Sequence, residues 1–297
     1  MKLDVNEKAY RILDGIDAER KVFELPGGKV TVLDLGVTND GGNDIGVGIK
    51  VAEATMGGLG KISVAGNKIH VKIDKHPAVA TLSCQMAGWR MKTDGKTAIG
   101  SGPARVPANQ PEKTIAMVGY MEKPKRVALL LETDVIPNEE NAKTILEKSG
   151  AKDAIVGAFR GSSMVGLMNV MARVVEMGFY RMEHLKYDVK NTVSGEGTCP
   201  IPKITKDLMF TSNDALIYGG DVVIKTKNWD ESLTGRMSSS NSPAYGRPFK
   251  EIFEGVGGDF YKIDAGIFAP AKIKIIDADT GREYVAGKIN EEIVSSL

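Results

Sequence analysis

Two cysteines, three histidines and an aromatic content of 6% leave this 297-residue chain poor in several kinds of chemistry. Cys84 and Cys199 stand far apart, which is no disulfide framework, and neither a CxxC pair nor an HExxH motif for zinc occurs. A reduced interior is the expected setting. The scattered histidines are too few for a metal triad and no GxSxG elbow is present, so metal and Ser–His–Asp mechanisms rank low. An excess of one charge is missing too. Thirty-nine basic against 38 acidic residues give +1, and no global field recruits nucleic acid or an anionic membrane. No uninterrupted apolar run reaches the roughly 18 residues that would span a bilayer. The opening segment MKLDVNEKAYRILDGIDAERK is charged throughout, unlike a signal or transit peptide. A cytoplasmic protein is the expectation.

The remainder is globular in character, with 42% hydrophobic and 26% charged residues. The length suits one large or two ordinary domains. Residues 4–20 carry helical spacing, followed by strand candidates at KVFEL and KVTVLDLGV around Pro26-Gly27-Gly28. NDGGN at 39–43 is a loop, and DIGVGIKVAEATMG remains open between helix and strand. KISVAG and IHVKID form a hairpin candidate across Asn67-Lys68. A helix is expected to begin near Pro77, and Lys96 to Ala108 reads as a glycine- and proline-rich connector. RVALLLETD reads as a buried strand and DAIVGAFR as another strand candidate, on either side of a capped helix in NEENAKTILEKSG. LMFTSNDALIYGGDVVIKTK carries at least one further strand, SLTGRMSSSNSPAYGRPF is a polar linker, KEIFEGVGG a short helix, and the last segment a hairpin around Asp279–Gly281. Strands mixed irregularly with single helices indicate an α+β fold. Connectors near 95–125 and 230–246 are the candidate linkers, and a boundary after residue 122 would divide 1–122 from 123–297.

Chemistry concentrates between Ser163 and Tyr180, SMVGLMNVMARVVEMGFY, whose only charges are Arg173 and Glu176. Helical spacing of Met164, Leu167, Met168, Met171, Val174 and Val175 predicts one helix. At i, i+3 the pair would lie about 60° apart on one face. A surface ion pair, a buried structural pair and a catalytic carboxylate with its guanidinium all fit that spacing. Gly100-Ser101-Gly102-Pro103-Ala104-Arg105 is the second motif. Its backbone permits close approach, and Ser101 and Arg105 could bind an anion, although neither a Walker nor a dinucleotide pattern is completed. Further candidates are Gly57 and Gly58 in MGGLG, His76 before Pro77, Asn213, Asp214 and Tyr218 in a hydrogen-bonding stretch, and Lys262 in DFYKID. Each has a plain structural alternative: turn, cap, core or strand edge.

Taken in order, MGGLG at 56–60, DKHPAVATLSCQMAGW at 74–89, GSGPAR at 100–105 and SMVGLMNVMARVVEMGFYRM at 163–182 resemble one family. SNDALIYGGDV at 212–222, GRPFKEIFE at 246–254, DFYKIDAGIFAPAKI at 259–273 and the TGREYVAGKIN segment continue the match. The family is that of the methenyltetrahydromethanopterin cyclohydrolases. Ala265 stands where the family pattern has proline, the surroundings of Cys199 are less typical, and the near-neutral charge contrasts with strongly acidic members.

The resemblance implies a homotrimer whose subunits hold two α+β domains around a large pterin cleft. It implies hydrolysis of the N5,N10-methenyl cation of tetrahydromethanopterin to the N5-formyl derivative, in archaeal-type one-carbon metabolism and methanogenesis, without metal or redox cofactor. The family's catalytic Arg and Glu fall on Arg173 and Glu176, with Glu176 as the base that activates water. Gly57, Gly58, His76, Ser101, Gly102, Arg105, Asn213, Asp214, Tyr218 and Lys262 become expected substrate contacts, Arg105 and Lys262 through charge. The competing expectations are a methenyltetrahydrofolate cyclohydrolase and a non-catalytic pterin- or nucleotide-binding protein.

Overall fold

A computed structural model describes residues 2–297 and divides the chain into two units, each built on its own sheet. One comprises Met1–Lys61 and Ala78–Asn169, the other Ile62–Pro77 and Val170–Leu297. Both mix helices with mixed-direction sheets, which is an α+β fold.

The first unit holds β1 (Glu19–Leu25), β2 (Gly28–Asp34), β5 (Trp89–Thr93), β6 (Lys96–Ser101), β7 (Arg126–Glu132) and β8 (Asp153–Phe159) in the order β1-β2-β8-β7-β6-β5. The central three strands, β2, β8 and β7, are parallel and the outer pairings antiparallel. Apolar side chains cover both faces of this sheet, which is why RVALLLE reads as an unbroken run rather than an alternation. Ala9, Leu13 and Ile16 from the α1 (Val5–Asp14) end and Val51 and Ala54 from α2 (Ile45–Thr55) join Leu33, Leu130 and Ile155 on one side. Ala142, Ile145 and Leu146 of α4 (Glu139–Ser149) join Val32, Leu129 and Val156 on the other. Asn138 and Asn141 close a reciprocal capping box on α4, and Gly150 ends it with a φ of 67°. A shorter α3 (Glu112–Val118) completes the helices of this unit together with α5 (Met164–Met171) as far as Asn169, where the division falls.

The second unit orders β12 (Glu283–Gly287), β11 (Lys272–Asp277), β10 (Asp221–Thr226), β9 (Thr192–Pro200), β4 (Lys68–Ile73) and β3 (Lys61–Ala65) in one sheet. Lys68 to Ile73 pair antiparallel with Pro200 to Gly195, which draws the early hairpin into the second sheet. The helices are α6 (Val174–His184), α7 (Leu208–Gly219), α8 (Phe249–Gly255) and α9 (Glu291–Val294).

The division therefore differs from a single boundary after residue 122. Segment 62–77 belongs to the second sheet, whereas β7, α4 and β8 complete the first. The supposed connector at 96–108 contains β6, paired with β5 across Asp94-Gly95 at φ 49° and 80°. That Asp-Gly turn is itself a strong hairpin signal. DIGVGIKVAEATMG is helical, and the helix after Pro77 winds as a π-helix over Val79–Gln85. The single helix expected over 163–180 is broken at Ala172-Arg173, where the Arg173 N–H bonds to the Val170 carbonyl one residue short of α-helical register. Among the described residues no helix is long and apolar enough to cross a membrane.

Candidate active site

Helix α6 lies close on its sheet because glycines make room for it. A Cβ on Gly178 would meet Ile224 Cδ1 at 2.9 Å, and one on Gly195 would meet Val175 Cγ1 at 2.9 Å and the Phe179 ring at 3.2 Å. A Cβ on Gly197 would stand 3.2 Å from both Val175 and Val222. These close approaches bury Val174, Val175, Phe179 and Met182 and fix the direction of the opposite face. On that face Arg173, at the start of α6, donates from Nη1 to Glu176 Oε2 at 2.6 Å. The two side chains retain 16% and 12% of their surface. The pair is thus neither a solvated surface bridge nor a sealed core pair, and Glu176 in the first helical turn also faces favourable backbone dipoles. A partly buried carboxylate with one oxygen oriented by a guanidinium is suited to take a proton from water.

One turn further on, Tyr180 packs its ring on His184 at 4.6 Å. Burial, reinforced by Glu183 and Glu176, pushes its phenol up from the usual value. The spacing Glu176, Tyr180, His184 is i, i+4, i+8, a stripe that helical periodicity contains but that was not singled out from the sequence.

The same unit anchors its long 227–271 segment to α6 and α7. Arg181 Nε donates to the Arg236 carbonyl at 2.7 Å. Asp214, nearly buried, accepts from the Phe249 N–H at 2.7 Å, and burial pushes its carboxyl up to about 6. Tyr218 is fully buried, with its hydroxyl donating to the Arg247 carbonyl at 2.5 Å and accepting from the Gly246 N–H at 3.2 Å. Asn213 donates from Nδ2 to the Met209 carbonyl at 2.8 Å. Asp214 and Tyr218 thus hold the GRPF turn, whereas the Asn213 bond stays within α7. The segment bearing Lys262 is a short 3₁₀ turn, Phe260–Lys262, beside stacked Phe260 and Phe268 rings, not the strand edge weighed from the sequence. Lys262 is 69% exposed and 3.9 Å from Asp259 Oδ2. His76 is half-buried with a left-handed φ of 55°.

In the first unit, Gly57 and Gly58 have φ of 65° and 67° and permit the end of α2 to approach α1; a Cβ on them would meet Val5 at 2.7 Å and Lys8 at 2.9 Å. Ser101 and Gly102 are buried at the end of β6, and the Gly102 N–H bonds to the Cys84 carbonyl at 2.7 Å. Arg105 is fully buried. It donates from Nη1 to the carbonyls of Leu82, Ser83 and Cys84, each at 3.1 Å, and from Nε to that of Gln110 at 2.9 Å. Its guanidinium thus braces the π-helix against the GSGPAR loop, where the sequence had pointed to an electrostatic contact with a ligand. A cavity of about 630 Å³ in this unit is lined by Lys2, Glu7, Tyr120, Glu122, Lys123 and Arg126 among others and contains none of the candidate residues. Among the described residues no group of three or more His, Cys, Asp or Glu is arranged to hold a metal ion.

Comparison with known proteins gives this arrangement its context. Residues 5–297 match the family model of the cyclohydrolase MCH. A methenyltetrahydromethanopterin cyclohydrolase from Methanocaldococcus jannaschii is 37% identical over 98% of this chain and 97% of its own length. The proteins of that name from Methanothermobacter thermautotrophicus and Methanocella arvoryzae are 36% and 35% identical, covering 98% of this chain and 98% and 96% of their own lengths. With near-complete coverage in both directions, the chain belongs to the methenyltetrahydromethanopterin cyclohydrolase family.

Proposed function

We infer that this chain hydrolyses N5,N10-methenyltetrahydromethanopterin to N5-formyltetrahydromethanopterin, with Glu176 activating the attacking water. The observation that carries the reading is the Arg173–Glu176 pair, held at 2.6 Å with little of either side chain exposed, in a chain that matches the family from end to end. The bridging carbon of the substrate is an amidinium-like cation and is electrophilic without further activation. Glu176 takes one proton of the water as the C–O bond forms. The same carboxylate then returns a proton to N10 as the C–N10 bond breaks, and the second water proton is lost when the formyl carbonyl forms. One proton is released overall as the positive charge of the substrate is discharged. Arg173 orients the carboxylate and keeps its second oxygen directed at the water.

Lys262, exposed and loosely paired, supplies a cation for an anionic part of the carrier, and the remaining candidate contacts shape the backbone around it. No metal or redox cofactor takes part in this reading, which also assigns the chain to one-carbon metabolism in the cytoplasm as a homotrimer.

The test is the progress curve with authentic methenyltetrahydromethanopterin, followed as loss of the methenyl absorbance, with the product identified as the N5- or N10-formyl isomer. Loss of absorbance with an N5-formyl product is expected. An equal or larger kcat/KM on methenyltetrahydrofolate would replace the carrier in this reading, and no turnover of either carrier would replace catalysis with binding.

A further inference from the structure

The tyrosines that burial perturbs are, with one exception, tied to the protein by their hydroxyls. Tyr10 bonds to Asp153, Tyr120 to Glu122, Tyr187 to Thr226 and the Lys227 carbonyl, and Tyr218 to the Arg247 carbonyl. Tyr180 on α6 is the exception. It is half-buried, yet its hydroxyl has no hydrogen-bond partner among the described residues. Burial raises its phenol all the same, with Glu183 and then Glu176 adding to the rise. The group is therefore a neutral phenol whose donor and acceptor sites are both free for something that is not protein.

Its place on the helix says what that is. Tyr180 follows Glu176 by four residues, about 40° round the axis and about 6 Å along it. Side chains on a helix lean toward its N-terminus, so the Tyr180 ring lies back over the turn that bears Glu176. His184 packs against the ring from the following turn, with centroids 4.6 Å apart and planes at 47°, and limits its swing. The Glu176 charge acts on the phenol, which puts the two groups within electrostatic reach of each other. Arg173, Glu176, Tyr180 and His184 all belong to the second unit.

A water that attacks a cationic carbon must point a lone pair at it. Held by a single acceptor, it still turns about that one hydrogen bond. Glu176 has one oxygen to offer, because Oε2 is committed to Arg173. A second acceptor beside that oxygen fixes the remaining O–H and with it the direction of the lone pair.

We propose that Tyr180 is a catalytic residue whose hydroxyl oxygen accepts the second O–H of the water that Glu176 deprotonates. This assignment rests on Glu176 being the base. One water proton passes to Glu176 as the C–O bond forms. The other stays on the oxygen, bonded to the phenol, and leaves for solvent when the C–N10 bond breaks and the formyl carbonyl forms. The phenol keeps its own proton throughout. Because the contact is made to the water and not to the carrier, its loss falls on kcat and leaves KM in place.

Tyr180→Phe keeps the ring on His184 and removes only the hydroxyl. The parent, Tyr180→Phe, Glu176→Gln and the double variant are compared by methenyl absorbance and by thermal melts. Tyr180→Phe is expected to have the Tm of the parent, a KM within about twofold and a kcat lowered about 10- to 100-fold. In the double variant the Tyr180 change should add less than about twofold to the loss caused by Glu176→Gln, because both groups serve one water. A Tyr180→Phe kcat within about twofold of the parent overturns the proposal, whether Tm holds or falls. A raised KM at unchanged kcat also overturns it and makes Tyr180 a contact to the carrier. Losses that multiply in the double variant do the same, since the two side chains then act separately. An active parent beside an equally active Tyr180→Phe removes this assignment alone. Full turnover by Glu176→Gln removes the base and Tyr180 with it, and a parent that turns over neither carrier removes the reaction itself.

Discussion

Arg173 Nη1 donates to Glu176 Oε2 across 2.6 Å at the first turn of α6, where the two side chains keep 16% and 12% of their surface. A pair so largely removed from water is a coupled unit, because deleting either member strands the other in a poorly hydrated place. Glu176→Gln retains a carbonyl oxygen for the arginine and is expected to fold, with kcat reduced about 10²- to 10⁴-fold through loss of the base. The measurement is methenyl absorbance alongside a thermal melt. A kcat close to that of the parent would take Glu176 out of the chemistry. Arg173→Ala is expected to lower both turnover and stability, the latter by about 1.5–3 kcal/mol, as read from urea unfolding.

Arg105 is a stability residue of the first unit. Its guanidinium serves four main-chain carbonyls from within the protein. Arg105→Ala would remove the side-chain donor from all four carbonyls, of which that of Cys84 keeps the Gly102 N–H, and a loss of about 3 kcal/mol or more is expected in denaturant unfolding. Arg105→Lys should recover only part of it, since an ammonium cannot reproduce the fork of donors. A variant as stable as the parent would refute the bracing role.

Asp214 gives a pH signature. Burial raises its carboxyl to about 6 in the folded protein against the ordinary 3.8, despite the opposing hydrogen bond from the Phe249 N–H. Between those two values the folded state holds more protons than the unfolded one. The stabilising contribution of this residue is therefore complete below pH 3.8 and is lost as pH rises through about 6. Asp214→Asn keeps an acceptor for Phe249 and cannot ionise, so its Tm relative to the parent should rise between pH 4 and pH 7. Melts at both pH values decide it; a constant difference between the proteins would show that Asp214 does not titrate in this window.

Gly195 tests how α6 is seated. A Cβ at this position would lie 2.9 Å from Val175 and 3.2 Å from Phe179, both on α6. Gly195→Val is expected to cost about 1–3 kcal/mol by overpacking. By displacing α6 it should also lower kcat, although the residue bears no functional group. Unaltered Tm and kcat together would mean that α6 tolerates movement.

Periodicity and turn chemistry in the chain were enough for α4 with its asparagine cap, the strands on either side of it, and the closing hairpin. They also placed Arg173 and Glu176 on one face, because three residues of helix bring side chains together whatever else surrounds them. β9 was not legible: TVSGEGTCP has few apolar residues because its glycines lie beneath Val175 and Phe179.

The chain alone thus determined local elements, the ion pair and the family. The tertiary structure decided which sheet each element joins and which polar groups have partners. β4 bonds to β9 more than a hundred residues later, and nothing near Lys68–Ile73 encodes that choice. Arg105 finds its carbonyls some twenty residues back, and Asp214 finds Phe249 thirty-five residues ahead. Hydrogen bonds and burial between distant segments arise from packing of the whole chain, which short-range spacing does not contain.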